Sequence, residues 1–232
     1  MTTFSILGVV IGVAALIIVL SVMGGFEADL KSKMLKGQPH LEVVSENPLA
    51  GFSLKEHPLA EFHKLFPKAE GIQPYTESDV VLKQGKHPAA VILFGIDPKI
   101  GGSLWAFDQS MTEGTLDSIG RSHQPMINDE GENSLMPGIL LGESLASQLS
   151  AGLGDIIQIL SPQAASSSTI LSGGTVTRSY VVSGIFRTGL FNYDSKWAVV
   201  SLPEGRKFLS DYEPSLDEDE YVSGVGINSK DP

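Results

Sequence analysis

The chain has 232 residues, 42% of them apolar, enough for the core of one large domain or two small lobes. A net charge of -11, with no basic patch, excludes nucleic acid as a partner, because a phosphate-binding face needs clustered Lys and Arg. Cysteine is absent, which fits an oxidising compartment that must avoid stray thiols and equally a cytosolic protein.

From Met1 to Phe26 no side chain is charged, and Phe4 to Met23 is an almost unbroken apolar run. A helix of that length, rising about 1.5 Å per residue, crosses a hydrocarbon core of about 30 Å. A cleaved signal peptide would want a basic start and a small-x-small cleavage site; Thr2-Thr3 and SVMGGF supply neither, so the run reads as a transmembrane helix. Within it Gly8 and Gly12 form a G-x-x-x-G, the spacing that lets another membrane helix approach closely. Lys31, Lys33 and Lys36 follow the span and no base precedes it; that count favours a cytoplasmic domain, but the rule fades for long translocated domains and leaves orientation open.

Phe26, Leu30 and Met34 recur at i, i+4 and i+8, which predicts that the helix continues as an amphipathic stalk until Gly37 and Pro39 stop it. A strand is expected over His40 to Val44, then a helix over Pro58 to Phe66 with proline in its first turn. The alternating runs ESDVVLK and AAVILFGI flank Gly85 and read as a hairpin. Beyond Pro98 the pattern loosens, and Arg121 to Pro137 reads as a polar linker. The strand GILLG, the helix Glu143 to Leu149 and the strand Asp155 to Leu160 follow. Then comes a long arm, SPQAASSSTILSGGTVTRSY, before the strand Tyr180 to Phe186. Hairpins normally link their strands with two to five residues, so an arm of this length is either disordered or used for something. A strand over Lys196 to Leu202, a helix opened by Pro203 and running through Leu209, and a strand over Tyr221 to Asn228 complete the reading. Mixed strands and helices without a repeat imply an α+β fold. The chain stops at INSKDP just after a strand, which reads as a fragment.

Covalent chemistry finds little support. Ser144 in GESLA sits in a strand-turn-helix context like a nucleophile elbow, but the second small residue is Ala146. His40, His57, His63, His87 and His123 all precede it, so the order Ser, acid, His cannot be built. The plainer reading is a helix start capped near Ser144, with Leu145 and Leu149 facing the core. His57 and His63 lie six apart, off any shared helix face, and read as surface residues. Asp211 to Tyr221 lacks the glycine and terminal glutamate of a calcium loop and reads as a solvated acidic loop. No phosphate-binding loop is present, so any ATP would be bound by another chain.

Taken together, SILGVVIGVAALIIVLSVMGGFEADLKSKMLKGQPHLEV, GIQPYTESDVVLKQG, FGIDP, EGTL, PGILLGESLASQLSAGLGDIIQILSP and FNYDS resemble the LolC/LolE family of lipoprotein-releasing ABC transporter permease subunits. The likeness covers nearly the whole chain and extends to the wider group of permeases with a MacB-like periplasmic core. The resemblance implies an inner-membrane anchor and stalk over 1–36. It also implies a split α/β lobe (Porter) over 37–100 and 191–232, enclosing a β-rich lobe (Sabre) over 101–190. The implied partners are a LolD-like cytoplasmic ATPase, a second LolC/LolE-like permease subunit, a LolA-like periplasmic carrier and the lipoprotein itself, with no cofactor and no reaction catalysed by this chain. By position the arm Ser161 to Arg178 lies where the family carries its Hook, a protruding hairpin that captures the carrier. Thr169, Ile170, Leu171, Ser172, Gly173, Gly174 and Arg178 are then the carrier-binding residues, with Ile170 and Thr175 standing where the family has prolines. Gly24 stands where the family has asparagine. Alternatives are a MacB- or FtsX-type permease with other cargo, and a stand-alone membrane-anchored binding or scaffold protein.

Overall fold

A computed structural model describes residues 2–36, 38–45, 51–101, 105, 107–127, 133–161, 176–212 and 220–229. They fall into two units, Met1–Lys36 and Gly37–Pro232. The first unit is one helix, α1 (Thr2–Lys36), whose stretch Thr2–Asp29 is long and apolar enough to cross a membrane. Its large apolar side chains, Leu7 through Phe26, are exposed, as the surface of a lipid-facing helix must be. The helix runs unbroken from the span into the stalk and ends before Pro39, which cannot continue it.

The second unit begins with β1 (Leu41–Val44), β2 (Phe52–Ser53) and α2 (Leu59–Leu65), then the long hairpin β3 (Ala69–Gln84) and β4 (His87–Ile96). Gly85 takes φ +56° in the tight turn between them, a conformation that favours glycine. Next come α3 (Pro98–Gly101), α4 (Phe107–Ser110), β5 (Met111–Gly114), a 3-10 turn over Leu116–Gly120, β6 (Ser122–Ile127) and β7 (Asn133–Gly142). After these lie α5 (Glu143–Leu149), β8 (Ile156–Leu160), β9 (Thr177–Phe186), α6 (Phe191–Lys196), β10 (Trp197–Ser201), α7 (Leu202–Tyr212), β11 (Tyr221–Val222) and β12 (Gly224–Ser229).

The main sheet runs β1-β12-β3-β4-β10-β7-β9-β5, and β8 pairs with both β3 and β9. That double pairing closes the path β3-β4-β10-β7-β9-β8-β3 into a barrel. Strand alternation confirms it: Val80 and Leu82, Val91 and Leu93, Ile139 and Leu141, Ile157 and Ile159, Tyr180 and Val182, and Ala198 and Val200 all fall in one buried cluster. Leu145 and Leu149 of α5 and Phe208 of α7 complete that interior. The opposite faces of the same strands carry Phe94, Leu140, Phe186, Trp197 and Val199, which pack outside the barrel against Trp105, Phe107, Leu116 and Ile119. A third cluster joins Phe62 of α2 to Ile72, Val225 and Ile227.

Three expectations change. The stretch Arg121 to Pro137, expected as a linker, carries β6 and the start of β7, paired from Ser122↔Pro137 to Ile127↔Asn133. Backbone pairing needs no apolar side chain, and Pro125 sits at the register shift, where a missing N–H leaves the ladder intact. The cap of α5 is Gly142, not Ser144, and it makes no side-chain cap bond. A Cβ at Gly142 would lie 2.3 Å from the Asp194 carbonyl oxygen, so this helix start is set by close backbone packing. The last strand breaks at Ser223, whose hydroxyl accepts from the Glu77 backbone N–H at 2.8 Å and whose own N–H donates to the Tyr75 carbonyl.

Candidate functional site

The feature left unexplained by the barrel is the arm, and its base is well defined. Strands β8 and β9 pair antiparallel from Ile156↔Val181 to Leu160↔Thr177. One step beyond, the Ser161 N–H donates to the Val176 carbonyl at 3.5 Å. The chain therefore leaves and re-enters the barrel wall at one point. Thr169, Ile170, Leu171, Ser172, Gly173 and Gly174 lie outside the described residues, whereas Arg178 lies within β9.

Arg178 reaches across to α7. Its two terminal nitrogens grip the Asp211 carboxylate, Nη1 on Oδ2 and Nη2 on Oδ1, the latter at 2.9 Å. Its guanidinium carbon sits 4.9 Å from the centroid of the Phe208 ring. Asp211 raises the Arg178 pKa further above its ordinary value, against the opposing effect of burial, so the guanidinium stays charged. Two residues further along β9, Tyr180 is 1% exposed and donates its hydroxyl to Glu204 Oε2 at 2.8 Å. Glu204 Oε1 in turn accepts from Lys207 Nζ at 2.7 Å. Burial first, and then the Glu204 charge, push the Tyr180 pKa well above the usual phenol range, so it remains a proton donor.

The helix that receives these side chains is itself tightly seated. A Cβ at Gly95 of β4 would lie 2.8 Å from Gly205 Cα and 2.2 Å from Thr76 Oγ1, so α7 rests backbone to backbone on the barrel wall. The arm base, α7 and the hairpin β3-β4 thus form one braced assembly. Its contacts are ion pairs, hydrogen bonds and close backbone packing that tie β9 to α7 and α7 to β4.

Other residues named from the sequence fall as follows. Gly8 and Gly12 lie on α1 with no other atom within 4 Å of an added Cβ, open to a neighbouring helix. Ser144 lies in the first turn of α5, next to Glu143, which pairs with Arg187 at 3.3 Å. His57 and His63 are exposed; His63 Nδ1 lies 2.9 Å from the Leu59 carbonyl within its own helix. Among the described residues no group of three or more His, Cys, Asp or Glu is placed to hold a metal ion. The acidic run beginning at Asp211 is tied at both ends, by Asp211 to Arg178 and by Glu220 to Lys55.

Sequence reasoning missed Asp211, Glu204 and Phe208 as members of the arm seat, since their partners lie 24 to 33 positions away in sequence. It also missed the reason for FNYDS. Asp194 is 5% exposed and accepts from the Thr188 N–H (2.7 Å), the Thr188 hydroxyl (2.8 Å) and the Gly189 N–H (3.1 Å), pinning the turn that leads from β9 to α6. Tyr193 of the same motif stacks on Trp197 at 4.0 Å and accepts from Gln38 Nε2 at 3.0 Å.

The family model described as MacB-like periplasmic core domain matches residues 2–231. A lipoprotein-releasing system transmembrane protein LolC of Xylella fastidiosa is 29% identical over 88% of this chain and 45% of its own length. A lipoprotein-releasing system transmembrane protein LolE of Haemophilus influenzae is 28% identical over 99% of this chain and 50% of its own length. The chain spans about half the length of the curated relatives it matches. Among solved structures, the extracellular domain of YknZ, a noncanonic ABC-type transporter from Gram-positive bacteria, aligns at 12% identity and TM-score 0.41, covering 82% of this chain and 81% of that one.

Proposed function

The chain belongs to the MacB-like periplasmic core domain family, and from that membership we propose that it serves in a permease subunit of an ABC transporter that releases lipoproteins from the inner membrane and passes them to a periplasmic carrier. The observation that carries this reading is the alignment to relatives named as lipoprotein-releasing transmembrane proteins along 88% and 99% of the chain. In this reading α1 anchors the subunit in the inner membrane and the remainder stands in the periplasm. A LolD-like ATPase in a separate chain supplies the energy, and Gly8 and Gly12 pack α1 against a second permease subunit.

The arm is the docking element for a LolA-like carrier. Its tip, Thr169 to Gly174, presents Ile170 and Leu171 to an apolar groove, and Arg178 fixes the base through Asp211. A short extended segment binds such a groove through backbone bonds and a few side chains, provided its ends are held. The β8-β9 ladder and α7 hold them. The test is deletion of Thr169 to Gly174 followed by pull-down of the carrier from detergent-solubilised transporter. Loss of capture with the transporter still assembled is expected; undiminished capture refutes the docking assignment.

A further inference from the structure

Gly24 and Gly25 stand together inside α1, immediately after the last residue of the apolar run, Met23, and just before the first charged side chain, Glu27. Glycine at such a place normally has one of two reasons. Either the backbone takes a positive φ, or something packs so closely that a Cβ has no room. Neither holds within this chain: both residues lie in continuous helix, neither has a positive φ, and no atom lies within 4 Å of an added Cβ at either position. Nor do they prolong the Gly8–Gly12 face. At roughly 100° per residue, Gly12 lies about 40° round the helix from Gly8, while Gly24 and Gly25 lie about 160° and 260° round it. Two adjacent glycines pointing to different sides give one partner helix no continuous smooth stripe.

What such a pair does supply is a weak point. Two consecutive residues without Cβ leave the backbone least restricted there, and Gly pairs are among the few recognised causes of sharp helix bends. The position matters as much as the residues. Up to Met23 the helix is uncharged and almost wholly apolar, broken only by Thr2, Thr3, Ser5 and Ser21, whereas from Glu27 it carries charges suited to water.

We infer that Gly24–Gly25 is a hinge at the membrane boundary, letting the stalk from Phe26 to Lys36 lean against the span without unwinding either segment. The hinge lies wholly inside α1 and does not depend on what the transporter carries or on the arm.

Because the chain has no cysteine, a pair of spin labels can be placed without background changes. Ala14→Cys in the span and Lys31→Cys in the stalk are 17 positions apart, about 26 Å along a straight helix. Double electron–electron resonance on the full chain in phospholipid nanodiscs reads the spread of that distance. The wild type is expected to give a distribution roughly twice as wide as Gly24→Ala/Gly25→Ala, with the alanine variant centred on the straight-helix distance. Ser21→Ala/Val22→Ala, which adds alanines beside the pair and leaves both glycines in place, serves as the control and should keep the wild-type width. Equal widths for wild type and Gly24→Ala/Gly25→Ala overturn the hinge, as does an equal narrowing in the control. Amide exchange gives a second reading free of labels: the N–H groups of Phe26 to Asp29, which close helical bonds across the pair, should exchange faster than those of Val13 to Leu20 and slow when both glycines become alanine. Uniform protection across Val13 to Asp29 in the wild type also overturns it.

Discussion

Asp155 shows how a single side chain fixes a turn. Its carboxylate accepts from the Gly152 N–H at 2.8 Å and from Gln84 Nε2 at 3.0 Å, and these bonds, the first above all, hold its pKa below the usual aspartate value against a small opposing effect of burial. A depressed folded-state pKa means that the ionised form is favoured in the native state. Its stabilisation is complete above the unfolded value of about 3.9 and is lost as pH falls through the lower folded value. Asp155→Asn should therefore lower the thermal midpoint near neutral pH, and the gap to wild type should close as pH drops below about 4; a gap constant down to acid pH would contradict the assignment. At this scale the sequence was partly legible. Gly85 announced its turn, and Leu145 and Leu149 announced the buried face of α5, both at 0% exposure. Asp194 did not announce itself, because its three donors are supplied by a turn whose shape only the fold determines.

At the scale of elements, the consequential contact is that between β9 and α7. Arg178 and Asp211 are largely shielded, with side chains 25% and 11% exposed, so their bidentate bond is stronger than a surface ion pair. Asp211→Ala strands the guanidinium and should cost about 1.5–3 kcal/mol in urea unfolding. In a double-mutant cycle with Arg178→Ala the coupling should be about 1–2 kcal/mol; no coupling would mean that the pair does not brace the arm. Element identities were read well where one face is buried: the alternation of β3, β4, β8 and β9 is the alternation of the barrel interior. The strand β6 and the start of β7 fall in the stretch expected as linker, because SHQPMI and NSLM show no clean alternation of apolar and polar residues and their pairing is set by backbone register. The short helix α6 was likewise unread, being held by Asp194 and by Tyr193 on Trp197 and not by helical periodicity.

For the whole molecule, the three buried clusters draw every member from the second unit and none from α1. Residues 37–232 produced without α1 should therefore be soluble without detergent and unfold cooperatively, with native near-ultraviolet circular dichroism from Trp105 and Trp197. A molten or aggregated product would show that α1 is needed for the domain to fold. The amino-acid sequence alone determined the apolar helix, its continuation to Lys36, most strands and the family resemblance, because hydrophobic periodicity and local turn chemistry are short-range properties. Only the tertiary structure decided that β8 bridges β3 and β9 to close a barrel, and that α7 braces the arm's base. Strand pairing and charge pairing at long separation depend on where distant backbones meet, and that follows from the joint burial of all the strands.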